Sequence, residues 1–351
     1  MLIFDAHLDM AWNAVEWNRN LMLSVQELRQ FESQFKDIVP GEPTITWPAL
    51  KEAGVGITIS TLLPRLHRKD GPLTHYQSRE AAYGSAMGQL AYYRAMCKRG
   101  VIREIPDAAT LKSHVEEWEA GPTDSTPVGF ILSMEGSPPI LYPEQIHEWY
   151  EAGLRLLGPG HYGEAPYCFG TGSQGGLKEG GAELLKAMNE CGMLLDTTHL
   201  ADQSFWEALE VYEGPLIASH QNSRTLVPRD RQFTDEQLKA VAERGGMIGA
   251  SFDSWMLHPD WKIGVSDPSM VTMEHVADHI DYVVQLLGTT KHTGLGTDLD
   301  GGFGKEQCPA DLETIHDLGK MAGILEKRGY SQEDIDGIMY KNFVNFFLKN
   351  L

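Results

Sequence analysis

The stretch Met1-Leu-Ile-Phe-Asp-Ala-His7-Leu-Asp9 ends an apolar run with two possible metal ligands. Side chains of a β-strand alternate between its faces with a period of two residues, so His7 and Asp9 are predicted to point the same way. An imidazole and a carboxylate on one face suit a divalent metal of the zinc type. Taken alone, the pair also fits a hydrogen-bonded histidine beside a solvated aspartate.

Seven further apolar runs follow, and most of them also end in a polar residue of ligand type. They occupy residues 55–62, 128–135, 154–157, 193–199, 215–220, 247–251 and 293–298. Helical patterns separate most of them, at 24–35, 74–98, 144–152, 180–191, 203–212, 234–245 and 273–287, and two more close the chain at 310–327 and 332–348. Strands that alternate with helices in this way predict a (β/α)8 barrel of the TIM type, here as a single domain over residues 1–351 with C-terminal helices.

Composition limits the classes of partner. The chain has 351 residues, 42% of them hydrophobic, and a formal net charge of −20, which argues against binding to a phosphate backbone. We find neither an 18-residue apolar span nor a signal-peptide pattern, and the four cysteines are widely spaced. We therefore expect no nucleic-acid partner, no membrane span and a cytoplasmic protein with free thiols.

In such a barrel the carboxyl ends of the strands form the active face. Seven residues of ligand or acid/base type lie at predicted strand ends: His7, Asp9, Glu135, His161, His199, His220 and Asp298. Seven such residues are more than one zinc ion needs as ligands. Many closed structural zinc sites contain cysteine, but none of these strand ends carries one. Two metal ions bridged by a carboxylate, with a hydroxide nucleophile between them, are the simpler interpretation.

The order of these motifs resembles the membrane (renal) dipeptidase family, a branch of the amidohydrolase superfamily. The matching motifs are His7-x-Asp9, Met134-Glu135-Gly136, Asp196-Thr-Thr-His199, Ala218-Ser-His220 and Gly296-Thr-Asp298-Leu-Asp300-Gly301. They extend from the first residues to the last strand, so the resemblance covers essentially the whole chain.

The resemblance implies a role for each site residue. His7 and Asp9 would bind one zinc ion, His199 and His220 the other, and Glu135 would bridge them. Asp298 would be the acid/base carboxylate, His161 would steady the oxyanion, and Arg231 would pair with the carboxylate of the substrate. Arg224 and Arg229 in the same loop compete with Arg231 for that role, and manganese or cobalt could replace zinc on the same ligands.

The departures from the family pattern lie around the substrate. Gly136-Ser-Pro-Pro139 follows Glu135, Tyr162-Gly-Glu164 follows His161, and Phe252-Asp253 follows the seventh strand. We hypothesise that Asp253 or Glu164 attracts a substrate ammonium group or excludes acidic side chains. Asp300 is expected to support the site or to cap a helix.

The remaining histidines show no ligand context. His67, His75 and His114 are expected at the surface. His275 and His279 lie four residues apart on a predicted helix, but no glutamate follows His275 as in a helical zinc motif, so we expect surface or packing roles.

The predicted function is that of a binuclear zinc dipeptidase that cleaves dipeptides with a free C-terminal carboxylate, including L-D dipeptides. The resemblance also implies a homodimer. One alternative is a related hydrolase of an N-acyl amino acid, a cyclic amide or a lactone. Another is a non-catalytic metal-binding or scaffold protein, although the retained Glu135 and Asp298 argue against it.

Overall fold

The chain forms a closed parallel barrel with helices around it, in a computed structural model that describes residues 1–35, 41–66 and 75–351. The strands in the described ranges are β1 (Ile3–Leu8), β2 (Val55–Leu62), β3 (Ile102–Glu104), β4 (Val128–Glu135), β5 (Leu156–Gly158), β6 (Leu194–Asp196), β7 (Leu216–Ala218), β8 (Met247–Ala250) and β9 (Thr293–Leu295). Their order is β2-β1-β9-β8-β7-β6-β5-β4-β3, and pairing of β2 with β4 closes the ring. The predicted (β/α)8 fold is confirmed.

The strand β3 is an addition to the eight predicted strands and lies outside the closed ring. It pairs with the first half of β4, from Ile102 opposite Val128 to Glu104 opposite Phe130. The second half of the same strand pairs with β5, starting at Ser133 opposite Leu156. A three-residue strand with two charged residues has too little apolar pattern to be predicted.

Fourteen α-helices lie in the described part of the chain. They are α1 (Met10–Glu16), α2 (Val25–Glu32), α3 (Trp47–Glu52), α4 (Arg79–Lys98), α5 (Ala108–Glu119), α6 (Ile146–Glu151), α7 (Gly181–Cys191), α8 (Asp202–Val211), α9 (Asp235–Glu243), α10 (Ser254–Leu257), α11 (Met273–Leu287), α12 (Lys320–Lys327), α13 (Gln332–Asp336) and α14 (Asn342–Asn350). Short 3₁₀ turns occupy Pro143–Gln145, Pro268–Met270, Lys305–Gln307 and Ile315–Gly319, and a π turn occupies Gly337–Lys341. None of the helices in the described ranges is long and apolar enough to cross a membrane.

The predicted helices differ from the structure mainly at their ends. The capping boxes at Ser24 and Thr234 are present as predicted. The helix predicted at 74–98 begins at Arg79, after the N-cap Ser78, and residue 74 lies outside the described ranges. The helix predicted at 310–327 begins only at Lys320, because the residues directly before it form a 3₁₀ turn, Ile315–Gly319, with Thr314 as its N-cap.

The barrel strands β1, β2 and β4 are buried on both faces. Every residue of β1, β2 and β4 is buried, as expected for parallel strands covered by helices. The last helix closes the structure against the first strand, since the Phe4 ring stacks on Phe343 at 5.2 Å and on Phe347 at 5.6 Å. The strand that carries His7 is thereby packed against α14.

The burial of two histidines depends on packing in the folded chain and not on their local sequence. His114, expected at the surface, is fully buried, and its Nε2 lies 2.9 Å from the Gly56 carbonyl oxygen. That expectation was wrong, because the side chain finds a backbone partner in the interior. His279 is a packing residue, one of the two outcomes expected for it, while His67 lies outside the described residues.

Candidate metal centre and active site

The structure brings the seven predicted strand-end residues to one end of the barrel. His7 is in β1, Asp9 is the N-cap of α1, and Glu135 is the last residue of β4. His161, His199, His220 and Asp298 lie two or three residues beyond β5, β6, β7 and β9. Residues nearly 300 positions apart in sequence therefore meet because the first and last strands of the barrel are neighbours.

The Glu135 carboxylate lies between two groups of ligands. Its Oε1 is 3.3 Å from Nε2 of both His199 and His220. Its Oε2 is 3.8 Å from Nε2 of His7, which is itself 3.8 Å from Oδ2 of Asp9. This arrangement matches a carboxylate that bridges two ions, each with its own pair of protein ligands.

Several polar atoms that face this space have no hydrogen-bond partner. Within the described ranges, His7 Nε2, Asp9 Oδ2 and Glu135 Oε1 are buried and unpartnered. Burying such atoms without a partner is costly, and cations bound in this space would satisfy them. The residues present therefore fit a metal site of mixed nitrogen and oxygen ligands.

The electrostatics of the site also favour cations. Burial disfavours a charged His7, but the carboxylates of Glu135, Asp9 and Asp298 outweigh it and raise the pKa of His7 to about 10. Burial and the nearby positive charges hold the pKa values of His199 and His220 well below the usual range, so both rings are neutral. A neutral imidazole is the form that binds metal ions.

Hydroxyl groups orient the ligands from behind. Thr171 Oγ1 lies 3.0 Å from Nδ1 of His199, and Ser219 Oγ lies 2.9 Å from Nδ1 of His220. The Thr61 hydroxyl donates to Oδ1 of Asp9, which leaves Oδ2 for the metal space. Each contact fixes which atom of the ligand faces the site.

Asp298 reaches the site from a strained backbone. Its φ is 60°, in the left-handed region, and its N–H donates to the His7 carbonyl at 3.2 Å. A side chain on Gly301 would collide with Asp298 Oδ1, so the glycine in the Gly296–Gly301 motif makes room for the carboxylate. Oδ1 lies 3.8 Å from His7 Nε2, and burial together with the charges of Asp9 and Glu135 raises the pKa of Asp298.

Two cavities flank this centre. One, of about 120 Å³, is lined by residues that include Leu63, Pro138 and Ala165. The other, of about 170 Å³, extends towards Trp255 and Phe303. Both are also lined by Arg65, Glu135, His161 and Tyr162, so they meet at the centre and together resemble a site with two arms.

His161 and Tyr162 stand where the two cavities meet. His161 Nε2 is 3.7 Å from Glu135 Oε2, and the Tyr162 ring packs on His199 with centroids 4.9 Å apart. Burial raises the pKa of Tyr162 to about 12, so its phenol stays protonated. Both residues can offer N–H or O–H groups to a bound molecule.

Arg231 approaches the site from behind His220. Its side chain is 2% exposed, and it donates from Nη1 to Gln221 Oε1 at 2.7 Å and from Nη2 to the His220 carbonyl at 2.9 Å. It is not among the residues that line the two cavities. Its role as the binder of a substrate carboxylate stays a prediction.

Of the three acids with open roles, only Asp253 is buried at a cavity wall. It lines the larger cavity, its Oδ1 accepts hydrogen bonds from Trp255 N–H and Gln307 Nε2, and burial raises its pKa to about 6. Glu164 lies at the rim of the smaller cavity, and its side chain is 62% exposed and pairs with Lys178 at 3.3 Å. Asp300 is buried away from both cavities.

Asp300 supports the site as expected from its position beside Asp298. Its carboxylate accepts from the N–H and hydroxyl of Thr44, from the Ile45 N–H, and from Arg19 Nη1 at 3.4 Å. It thereby attaches the loop after β9 to the segment before α3.

Sequence reasoning missed two further residues of the site. Arg65, three residues beyond β2, lines both cavities, and His75 lines the smaller one. The second strand has no ligand-type residue at its end, so the strand-end pattern gave no signal there. A search that included the positions just beyond each strand end could have identified Arg65.

The comparisons with known proteins agree with this geometry. A family model for membrane dipeptidases (peptidase family M19) matches residues 1–349. The uncharacterised protein in the pqqA 5′ region of Klebsiella pneumoniae is 31% identical over 216 residues, which cover 59% of this chain and 75% of that protein. The dipeptidase tcpJ of Claviceps purpurea is 31% identical over 172 residues, which cover 48% of this chain and 37% of that protein.

Solved structures share the fold. A metallopeptidase described as dipeptidase AC has a TM-score of 0.80 at 23% identity and covers 100% of this chain and 98% of its own. A metallopeptidase from Rhodobacter sphaeroides, bound to a phosphinate mimic of L-Ala-D-Ala, has a TM-score of 0.79 at 22% identity, with 100% and 99% coverage. Because the family match extends over nearly every residue, the chain belongs to the membrane dipeptidase family of metallopeptidases.

Proposed function

We propose that this protein is a binuclear zinc dipeptidase that hydrolyses the amide of dipeptides with a free C-terminal carboxylate, L-D dipeptides included. The observation that carries the proposal is the division of the Glu135 carboxylate, with Oε1 at 3.3 Å from His199 and His220 and Oε2 at 3.8 Å from His7. A ligand for a single ion would not need both of its oxygen atoms to face separate histidines.

Charge supports two ions over one. Three carboxylates, those of Asp9, Glu135 and Asp298, lie around His7 Nε2 at 3.8 Å each. One divalent ion would leave this buried group with excess negative charge, whereas two would leave a single positive charge that a bound anion can neutralise. The neutral rings of His199 and His220 and the absence of cysteine among these ligands fit zinc in an open, catalytic site.

The protein residues would divide the remaining work. The zinc ions, when bound, would polarise the scissile carbonyl and lower the pKa of the attacking water. The Asp298 carboxylate would take the proton of that water and return it to the leaving amine nitrogen. His161, which lines both cavities, would donate a hydrogen bond as negative charge develops on the carbonyl oxygen.

Metal analysis and a substrate panel test this proposal. We expect two zinc ions per chain by elemental analysis and hydrolysis of both L-L and L-D dipeptides. Glu135→Gln should lose metal and turnover, whereas Glu148→Gln, which alters an exposed carboxylate that accepts from Tyr142, should keep both. One ion per chain, or full turnover by Glu135→Gln, would contradict the proposal.

The same panel separates the alternative hydrolase. Metal-loaded protein that cleaves N-acyl amino acids, cyclic amides or lactones but no dipeptide would favour that class. The homodimer implied by the resemblance stays a prediction, and sedimentation of the purified protein at several concentrations tests it.

A further inference from the structure

Arg65 stands between the two arms of the site. It follows β2, and its guanidinium carbon lies 4.7 Å from the centre of the Trp12 ring. Its backbone carbonyl accepts a hydrogen bond from the Tyr76 N–H at 2.8 Å, which fixes the start of the side chain. Stacking on an indole holds a guanidinium plane in one orientation.

One donor of this guanidinium has no acceptor. Arg65 Nε is buried and makes no hydrogen bond to any residue of the described ranges. Arg65 as a whole is half-buried, whereas two fully buried arginines have partners for their guanidinium groups: Arg19 pairs through Nε with Glu32 at 2.8 Å, and Arg231 donates to Gln221 and to the His220 carbonyl. The guanidinium of Arg65 therefore lies beside both cavities with a donor that no residue of the described ranges uses.

The chemistry of that group follows from the lining of the cavities. Arg65 is the one arginine or lysine among the described residues that line either cavity. Asp253, which lines the larger cavity, already accepts from Trp255 and Gln307 on Oδ1. A planar carboxylate is the anion that a guanidinium binds through two parallel hydrogen bonds.

We propose that Arg65 binds a carboxylate of the substrate through its Nε–H and a neighbouring Nη–H. This rests on the proposed dipeptidase function and deepens it, because it assigns substrate recognition to a residue after β2. Two sources of that carboxylate are possible, the C-terminus of the dipeptide and an acidic side chain. Both reach the same guanidinium, since Arg65 lines both arms.

Binding of non-hydrolysable ligands to zinc-loaded protein tests the proposal. We would measure, by calorimetry, the Kd of a phosphinate mimic of L-Ala-D-Ala, of its C-terminal amide, and of an amide whose first residue carries a glutamate side chain. Arg65→Met should weaken binding of at least one of the two carboxylate ligands by about 50-fold and of the neutral amide by less than about threefold. Arg65→Lys should fall between, because it keeps the charge but loses the planar fork.

The three ligands identify the source. A loss confined to the free C-terminal acid assigns Arg65 to the C-terminus, and a loss confined to the glutamyl amide assigns it to the side chain. Equal losses for all three ligands, or none, would overturn the role of Arg65. Arg94→Met is the matched control, because Arg94 donates to the Ala152 carbonyl on the outside of α4, and it should leave every Kd unchanged.

Failure of the proposed function has a different signature. If the wild-type protein turns over dipeptides, but Arg65→Met weakens the binding of the carboxylate ligands no more than that of the neutral amide, only the role of Arg65 is overturned. Wild-type protein that binds none of the three ligands and cleaves no dipeptide overturns the dipeptidase function, and this proposal with it.

Discussion

The Thr171 hydroxyl lies 3.0 Å from Nδ1 of His199, on the side of the ring opposite to the Nε2 that faces Glu135. This contact sets which ring nitrogen is free for a metal ion. We expect Thr171→Val to weaken the affinity for the metal ion that His199 would bind by roughly 10- to 100-fold, as the loss of such supporting contacts does elsewhere. Competition with a chelator, followed by elemental analysis, measures it.

Thr58→Val is the matched control for that change. Thr58 is also buried, but its hydroxyl donates to the Ile59 carbonyl and contacts no histidine. Equal metal affinity in Thr171→Val and Thr58→Val would show that Thr171 does not position His199.

Asp300 is predicted to serve stability rather than the reaction. Asp300→Ala would leave the Thr44 N–H without its acceptor and Arg19 without one of its carboxylates. We expect a loss of about 3–5 kcal/mol in the free energy of unfolding, measured by urea denaturation. Asp300→Asn should lose less, because asparagine keeps an acceptor and tolerates the φ of 59° at this position.

The two Asp300 variants also test its exclusion from the chemistry. Folded Asp300→Asn should keep the metal content of the wild type and near-normal turnover. A variant of normal stability with no turnover would instead make Asp300 a participant in the reaction.

His279 should make the protein less stable as the pH falls. Burial, together with the charge of His275, lowers its pKa from 6.5 to about 3, and its Nδ1 accepts from the Ser223 N–H at 3.1 Å. Between these pH values the unfolded chain binds a proton that the folded chain does not, so stability is lost as the pH falls below 6.5. At pH 5 the loss from this residue should be about 2 kcal/mol.

Urea denaturation at pH 7 and pH 5 measures the effect by difference. His279→Gln, which can keep an acceptor for Ser223, should lose less stability over this range than the wild type does. His147→Gln, at a side chain that is 42% exposed, should behave like the wild type. The same pH dependence in all three proteins would assign the acid sensitivity to other groups, the metal ligands foremost.

Asp253 is the better candidate for recognition of a substrate ammonium, because it lines the larger cavity while Glu164 pairs with Lys178 at the rim. If it has this role, Asp253→Asn should lower kcat/KM for dipeptides by about tenfold and leave N-acetylated amino acids unaffected. Asparagine keeps an acceptor for Trp255 and Gln307, so the fold should persist. An unchanged ratio of the two substrate classes would remove Asp253 from the specificity argument.

The strand-end pattern was sufficient to predict the barrel and the gathering of seven residues at its mouth. The reason is physical: a buried parallel strand needs a continuous apolar run, and the residue that follows the run must lie at the rim. His7 and Asp298 could thus be placed together, although 291 positions separate them, because both follow from the same rule applied to the first and last strands.

The strand-end pattern gave no prediction for residues that no apolar run precedes. The strand Ile102–Glu104 is too short to show a period, and its place beside β4 depends on pairing with residues 128–130. His114 has an unremarkable sequence context, and only the approach of the Gly56 carbonyl makes it a buried residue. Such contacts depend on tertiary packing, which local sequence does not encode.

By itself, then, the sequence determined the barrel and the seven residues gathered at its strand ends, because both depend on the order and polarity of residues along each strand. Only the tertiary structure decided which side-chain atoms of the site residues face one another. It placed Oε1 of Glu135 towards His199 and His220 and Oε2 towards His7, and it directed Arg65 rather than Arg231 into the cavities. Side-chain direction beyond a strand end depends on loop backbone, such as the φ of 68° at His199, and on packing against residues far away in the chain.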